Sequence, residues 1–135
     1  MENEIVEIPF YDRKLGVMTT LSVEKLGMNM FRATSNEIFI PWITLGVEFQ
    51  TQINEEGKHE LVCITKKSPY ITETFLISSH RADELKRLGD EIVQHGGNWQ
   101  LDMGGVATIN LPPNCKLGMD DIIKKLNLNI PERDN

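Results

Sequence analysis

The chain has 135 residues, a formal net charge of −6, 40% hydrophobic and 25% charged side chains, and two cysteines. These values describe an ordinary globular chain rather than a disordered one. They exclude the basic stripe of a duplex-nucleic-acid binder, and no apolar run approaches the roughly 18 residues of a membrane helix.

The acidic excess is even: residues 1–70 and 71–135 each carry ten acids and seven bases. No linker composition or repeat divides the chain, so residues 1–130 read as a single globular domain, with 131–135 as a frayed tail. The start, Met1-Glu2-Asn3-Glu4, lacks the features of a signal peptide, and the expected compartment is the cytoplasm. Cys63 and Cys115 belong to no C-x-x-C pair. Cys63, in Leu61-Val62-Cys63-Ile64, reads as a small buried apolar residue.

The first half reads as strands. Val17, Leu21 and Val23 recur with a period of two, and Met28 and Met30 alternate with polar residues, as strand packing would require. Ile38-Phe39-Ile40, stopped by Pro41, predicts a short strand. In 47–53, Val47, Phe49, Thr51 and Ile53 face one way. Asn54-Glu55-Glu56-Gly57 then predicts a turn and His59 to Thr65 an antiparallel return. Ser68-Pro69 breaks the pattern and Ile71 to Ile77 resumes it.

The second half predicts two helices. Over 80–94, Ala82, Leu85, Leu88, Ile92 and Val93 form one stripe, with Ser79 as N-cap and Gly96-Gly97 as the stop. A hairpin follows, with Asn98–Met103 and Val106–Leu111 joined by a Gly104-Gly105 turn, and Pro112-Pro113 ends it. Met119, Ile122, Ile123 and Leu126 make a second amphipathic helix, started by Asp120 and Asp121 and ended by Lys124 and Lys125. The fold class is α+β: a mostly antiparallel curved sheet or half-barrel, then a β-α-β-β-α unit with two helices.

No nucleophile elbow or phosphate cradle is present, so no catalytic residue is assigned. His59, His80 and His95 are scattered, and His80 and His95 lie roughly 22 Å apart along one helix, so no metal site and no cofactor are expected. His59 with Glu60, or His80 with an acid from the sheet, would be the alternative for acid–base chemistry.

The residues that suit a partner surface are the adjacent acids Glu55-Glu56, Asp83-Glu84, Asp90-Glu91 and Asp120-Asp121, with Trp42 and Trp99 as large apolar handles. Each acidic pair also has a local explanation as a solvated turn or a helix-dipole partner. Each tryptophan also suits a core.

The run Glu24, Phe31-Arg32, Ile40-Pro41-Trp42 and Gly46-Val47-Glu48-Phe49, with Leu85, Leu88-Gly89 and Leu111-Pro112-Pro113-Asn114, resembles a bacterial family described only as a domain of unknown function. The resemblance spans about residues 19–127 and implies no catalytic residue. Val47 stands where that family often carries an acid. By type, a small, acidic, motif-free α+β chain also resembles the immunity proteins of contact-dependent growth inhibition and related toxin systems. That resemblance implies a protein partner, a basic toxin domain such as a nuclease, and no direct nucleic acid or membrane contact. The alternatives are an enzyme with a His/carboxylate site and a module that dimerises through an exposed strand edge.

Overall fold

The computed structural model describes residues 3–126 and 133–134. It is α+β and comprises two compact units, Met1–Ser68 and Pro69–Asn135. Among the described residues no helix is long and apolar enough to cross a membrane.

The first unit is a closed five-stranded barrel: β1 (Ile5–Asp12), β2 (Val17–Gly27), β3 (Met30–Ala33), β4 (Glu48–Ile53) and β5 (His59–Lys66). Each strand pairs antiparallel with the next. An odd number of strands in such a meander leaves the first and last running the same way, so the ring closes only through a parallel pair. That seam is one register pair long, Phe10 with His59.

The core follows from alternation. Ile8 and Phe10 of β1, Leu21 and Val23 of β2, Phe31 and Ala33 of β3, and Phe49 of β4 point inward and are buried. Phe49 lies at the centre. Its ring packs edge-on to Phe10 at 6.2 Å and to Trp42 at 5.3 Å, and tilted to Phe31 at 6.0 Å. On the outer face Arg32 bridges Glu24 and Glu48 across three strands, at 3.2 Å to each.

Several expectations change here. β1 is a strand that the pattern analysis did not single out. It alternates correctly, and Pro9 is tolerated at its centre because β1 is paired along its length on one side only. Ile38-Phe39-Ile40 is a turn rather than a strand. The segment between Thr34 and Val47 folds on itself, with Ile43 N–H donating to Ile40 O at 2.9 Å, and contributes Ile40, Ile43 and Val47 to the core. Met28 is exposed at the β2–β3 tip beside Asn29, whose φ is +57°, so it is no packing residue. Cys63 is exposed, as is most of β5. Within the first unit one unexpected strand, β1, thus stands in place of the expected one at Ile38-Phe39-Ile40.

In the second unit, β6 (Ile71–Leu76) leads through a 3-10 turn at Ser79–Arg81 into α1 (Ala82–Gln94). Then come β7 (Asn98–Asp102), β8 (Val106–Leu111) and α2 (Met119–Leu126). Strand β8 is central, flanked antiparallel by β6 and β7, and β9 (Arg133–Asp134) adds antiparallel to β6. Apart from this pair, the expected frayed tail lies outside the described residues. Leu85, Leu88 and Ile92 of α1 pack with Ile122 of α2 and with Phe75, Ala107, Ile109 and Leu111 of the sheet. Val93, placed on that stripe by spacing, is exposed. The side chains of Ser79, Ala82, Ile123, Lys125 and Leu126 lie outside the described residues. Arg81, not Ser79, holds the cap position of α1, and no side-chain cap bond forms.

The glycine stop behaves as a Schellman motif. Gly96 takes φ +84° and donates to Val93 O, and Gly97 donates to Ile92 O at 2.9 Å. Gly97 is needed for space rather than for φ, since a Cβ there would lie 2.6 Å from Asn110 O. The β7–β8 turn is primed, as expected, but one residue early: Met103 (φ +54°) and Gly104 (φ +71°) occupy its centre.

Candidate functional site

The seam of the barrel gathers the chemistry of the first unit. Strand β1 ends in Tyr11 and Asp12, and the following turn carries Arg13, Lys14 and Leu15. Asp12 is buried and organises this corner. Its Oδ1 accepts from Leu15 N–H at 2.9 Å and its Oδ2 from Trp42 Nε1–H at 2.8 Å. One carboxylate thus fastens the strand end to its own turn and to the folded segment before β4.

Across the seam, Arg13 grips Glu60 with two parallel hydrogen bonds, Nε to Oε1 and Nη2 to Oε2, both 2.8 Å. Asn54 Nδ2 donates to the same carboxylate at 2.7 Å. The Arg13 guanidinium also lies 5.5 Å from the Tyr11 ring centroid. The Arg13 side chain is 71% exposed and that of Glu60 only 12%. Hydrogen bonds from Arg13 and Asn54 hold the Glu60 carboxyl at about 2, far below its usual range.

The sign of the pH dependence follows. Glu60 binds its proton more weakly in the folded chain than in the unfolded one, so its contribution is complete above pH 4.5. It is lost as pH falls from 4.5 through about 2. Denaturant unfolding of the chain and of Glu60→Gln should differ most near neutrality and converge over that window. A constant difference down to pH 2 would show that ionisation is irrelevant to the seam. Burial also lowers the His59 pKa, which adds a separate loss of stability as pH drops below about 6.5.

Two concavities flank the Arg13–Glu60 pair and share it. The first, about 770 Å³, is a polar basin under the β4–β5 hairpin, lined by Gln52, Asn54, Glu55 and Glu56 with Tyr11 and Met18. The hairpin tip is built as its sequence predicts: Gly57 takes φ +79° and donates to Asn54 O. The Asn54 side-chain oxygen accepts from the N–H groups of Glu56 and Lys58 at 2.9 and 3.0 Å. This holds both glutamates outward, and neither joins an ion pair among the described residues. The second concavity, about 820 Å³, is a slot lined by Leu15, Pro41, Trp42, Leu61 and Ile64, with Lys14 at its rim.

The remaining predicted partner residues lie in the second unit. Asp83 and Glu84 occupy the first turn of α1, where Glu84 meets Arg81 at 3.5 Å. Asp90 is exposed later on the same helix, followed by the half-buried Glu91. Asp120 and Asp121 open α2, and Asp121 Oδ2 accepts from Gly118 N–H at 3.0 Å, a capping contact. Trp99 is half-buried against the second core. Within the first unit, Glu55, Glu56 and Trp42 thus fall on adjoining concavities. Arg13 was not singled out, and Glu60 was expected beside His59 rather than paired with Arg13, 47 positions away. The only hint was an Arg13-Lys14 pair ending an alternating strand in an acidic chain.

The alternative acid–base pair does not form. Successive strand residues face opposite ways: the His59 ring shares a 2.7 Å hydrogen bond with Thr51 Oγ1 and stands edge-on to Phe31, while Glu60 is taken by Arg13 and Asn54. His80 is exposed in the turn before α1. Among the described residues no group of three His, Cys, Asp or Glu side chains converges as a metal site would.

No family model matches the chain, and no curated protein is similar to it. A solved structure, a hypothetical protein from Neisseria gonorrhoeae, is similar at 18% identity with a TM-score of 0.61, over 94% of this chain and 88% of that one. The likeness concerns the fold.

Proposed function

We propose that this chain is a cytoplasmic protein-binding module of the immunity type, which neutralises a basic toxin domain by capturing it at the seam of the barrel. The observation that carries this reading is the basin beside the β4–β5 hairpin, where Glu55 and Glu56 are exposed and outside any ion pair among the described residues. The basin carries three carboxylates, Glu55, Glu56 and Glu60, against the single cation Arg13, and such a net negative excess draws a basic surface towards it and favours one orientation. Four acids of the second unit, Asp83, Glu84, Asp120 and Asp121, have local roles at helix starts, so they carry less of the reading.

The test begins with the gene neighbourhood, where the reading expects a basic toxin domain to be encoded; its absence would overturn the function, and its product is the probe. Association measured by stopped flow should slow steeply with salt, and Glu55→Lys with Glu56→Lys should lower the low-salt rate about tenfold or more. Asp83→Lys with Glu84→Lys should leave it nearly unchanged. Equal effects of the two double variants, or no salt dependence, would overturn the assignment of the basin. Survival of cells expressing the toxin without this chain would overturn the function itself.

A further inference from the structure

Strand β5 presents an unfinished wall. Leu61 and Ile64 are the register partners of Thr51 and Phe49, both of which are buried inside the barrel. In a completed barrel they would be covered too. They are instead 37% and 44% exposed, because β1 pairs with β5 only at His59 and then turns away. Their inward faces line the slot with Leu15 and Trp42. An apolar slot of this kind gains free energy when a partner's side chain removes it from water.

The occupant can be argued from the surroundings. A second copy paired strand to strand is opposed by the edge itself. Residues Val62 and Thr65 are skipped in the pairing with β4, so β5 carries two bulges and ends in Lys66. Bulges and lysines are devices that blunt an edge against its own kind. The adjoining basin points elsewhere: the slot and the basin share Tyr11, Arg13 and Glu60, so an occupant of the slot reaches the carboxylates of Glu55 and Glu56 by passing the ion pair.

We infer that the seam is a two-part receptor for an extended protein segment that carries both apolar and basic side chains. The apolar side chain seats between Trp42, Leu61 and Ile64, and the basic one meets Glu55 and Glu56. This rests on the protein-binding reading above and specifies the chemistry of the partner.

Trp42 supplies the readout. In a Trp99→Phe background its fluorescence is followed while three short acetylated peptides are added: alternating valine and lysine, alternating serine and lysine, and alternating valine and glutamate. The valine–lysine peptide should bind saturably and at least about tenfold more tightly than either of the others. Ile64→Asp, or Leu61→Asn if the first variant loses its circular dichroism, should reduce its affinity to that of the serine–lysine peptide. Equal binding of the serine–lysine peptide, or no effect of a folded slot variant, would overturn the apolar half. Equal binding of the valine–glutamate peptide would overturn the basic half. A dimer in sedimentation that Ile64→Asp dissociates would overturn the inference in favour of a second copy. If the peptides behave as stated while no toxin domain is neutralised, the proposed function falls and the receptor stands. If neutralisation survives Ile64→Asp, the reverse holds.

Discussion

Phe49→Ala should destabilise the barrel unit by about 3–5 kcal/mol, the range for emptying a buried aromatic site. Phe49 is wholly buried and is the ring that Phe10, Phe31 and Trp42 share. Removing it leaves three aromatic faces with no common neighbour. A closed barrel cannot collapse onto the gap without breaking strand pairing, so little of the cost is recovered by relaxation. The comparison is Phe39→Ala. That side chain is exposed, and its loss should cost no more than about 0.5 kcal/mol. Urea denaturation followed by Trp42 fluorescence in a Trp99→Phe background measures both. A loss below about 1 kcal/mol for Phe49→Ala would show that the aromatic cluster is not what holds the barrel.

Gly89→Ala should act against its usual sign. In a helix interior, alanine is favoured over glycine by about 1 kcal/mol. Gly89 is buried in α1, and a Cβ there would fall within the Trp99 indole, on Nε1 and Cε2 and 2.7 Å from Cδ1. The ring belongs to β7 and leans on the core formed by α1 and the sheet. Overpacking of this kind costs about 1–3 kcal/mol, enough to overwhelm the propensity gain. The sign should reverse in a Trp99→Ala background, where the methyl group has room and Gly89→Ala should stabilise by up to about 1 kcal/mol. A double-mutant cycle by thermal or urea denaturation reads this coupling directly. Additive effects would mean that helix and ring separate freely.

These two positions also show what the sequence could and could not convey. Phe49 was legible because Val47, Phe49 and Thr51 alternate cleanly before an obvious turn, and the β4–β5 hairpin, α1, the β7–β8 hairpin and α2 were legible on similar local grounds. Gly89 was visible only as a helical glycine. The need for it comes from a tryptophan ten positions later on another element. β1 was not singled out although Val6, Ile8 and Phe10 alternate; Pro9 at its centre fits a strand only because one side of that strand is nearly free. The opposite error produced a strand at Ile38–Ile40: a local apolar run carries no sign that its chain folds back to fill a barrel. β5 shows the same limit. Its run Leu61-Val62-Cys63-Ile64 has the composition of a buried strand, and only the early departure of β1 leaves it in solvent.

The candidate site divides along the same line. Glu55, Glu56 and Trp42 were named from composition and local turn chemistry. The Arg13–Glu60 bond was not, because it depends on ring closure between the first and last strands, and nothing local encodes that meeting. The net charge of −6 first served to exclude partners. Within the first unit it gains a location, since Glu55 and Glu56 project into a defined basin.

The one-pair parallel seam also bears on how the barrel forms and breathes. Every antiparallel pairing in the ring joins strands adjacent in the chain, through tight turns except for the segment 34–47 between β3 and β4, while the seam spans 47 positions between Arg13 and Glu60. A chain of this kind zips hairpin by hairpin and pays for ring closure last. In the native ensemble the order reverses. Parting the seam breaks one register pair and one ion pair, so the strands on either side of it swing apart at lower free energy than any other cut through the ring. Amide exchange should therefore be fastest along the first and last strands and slowest in the middle three, a gradient that runs around the barrel rather than from its surface inward.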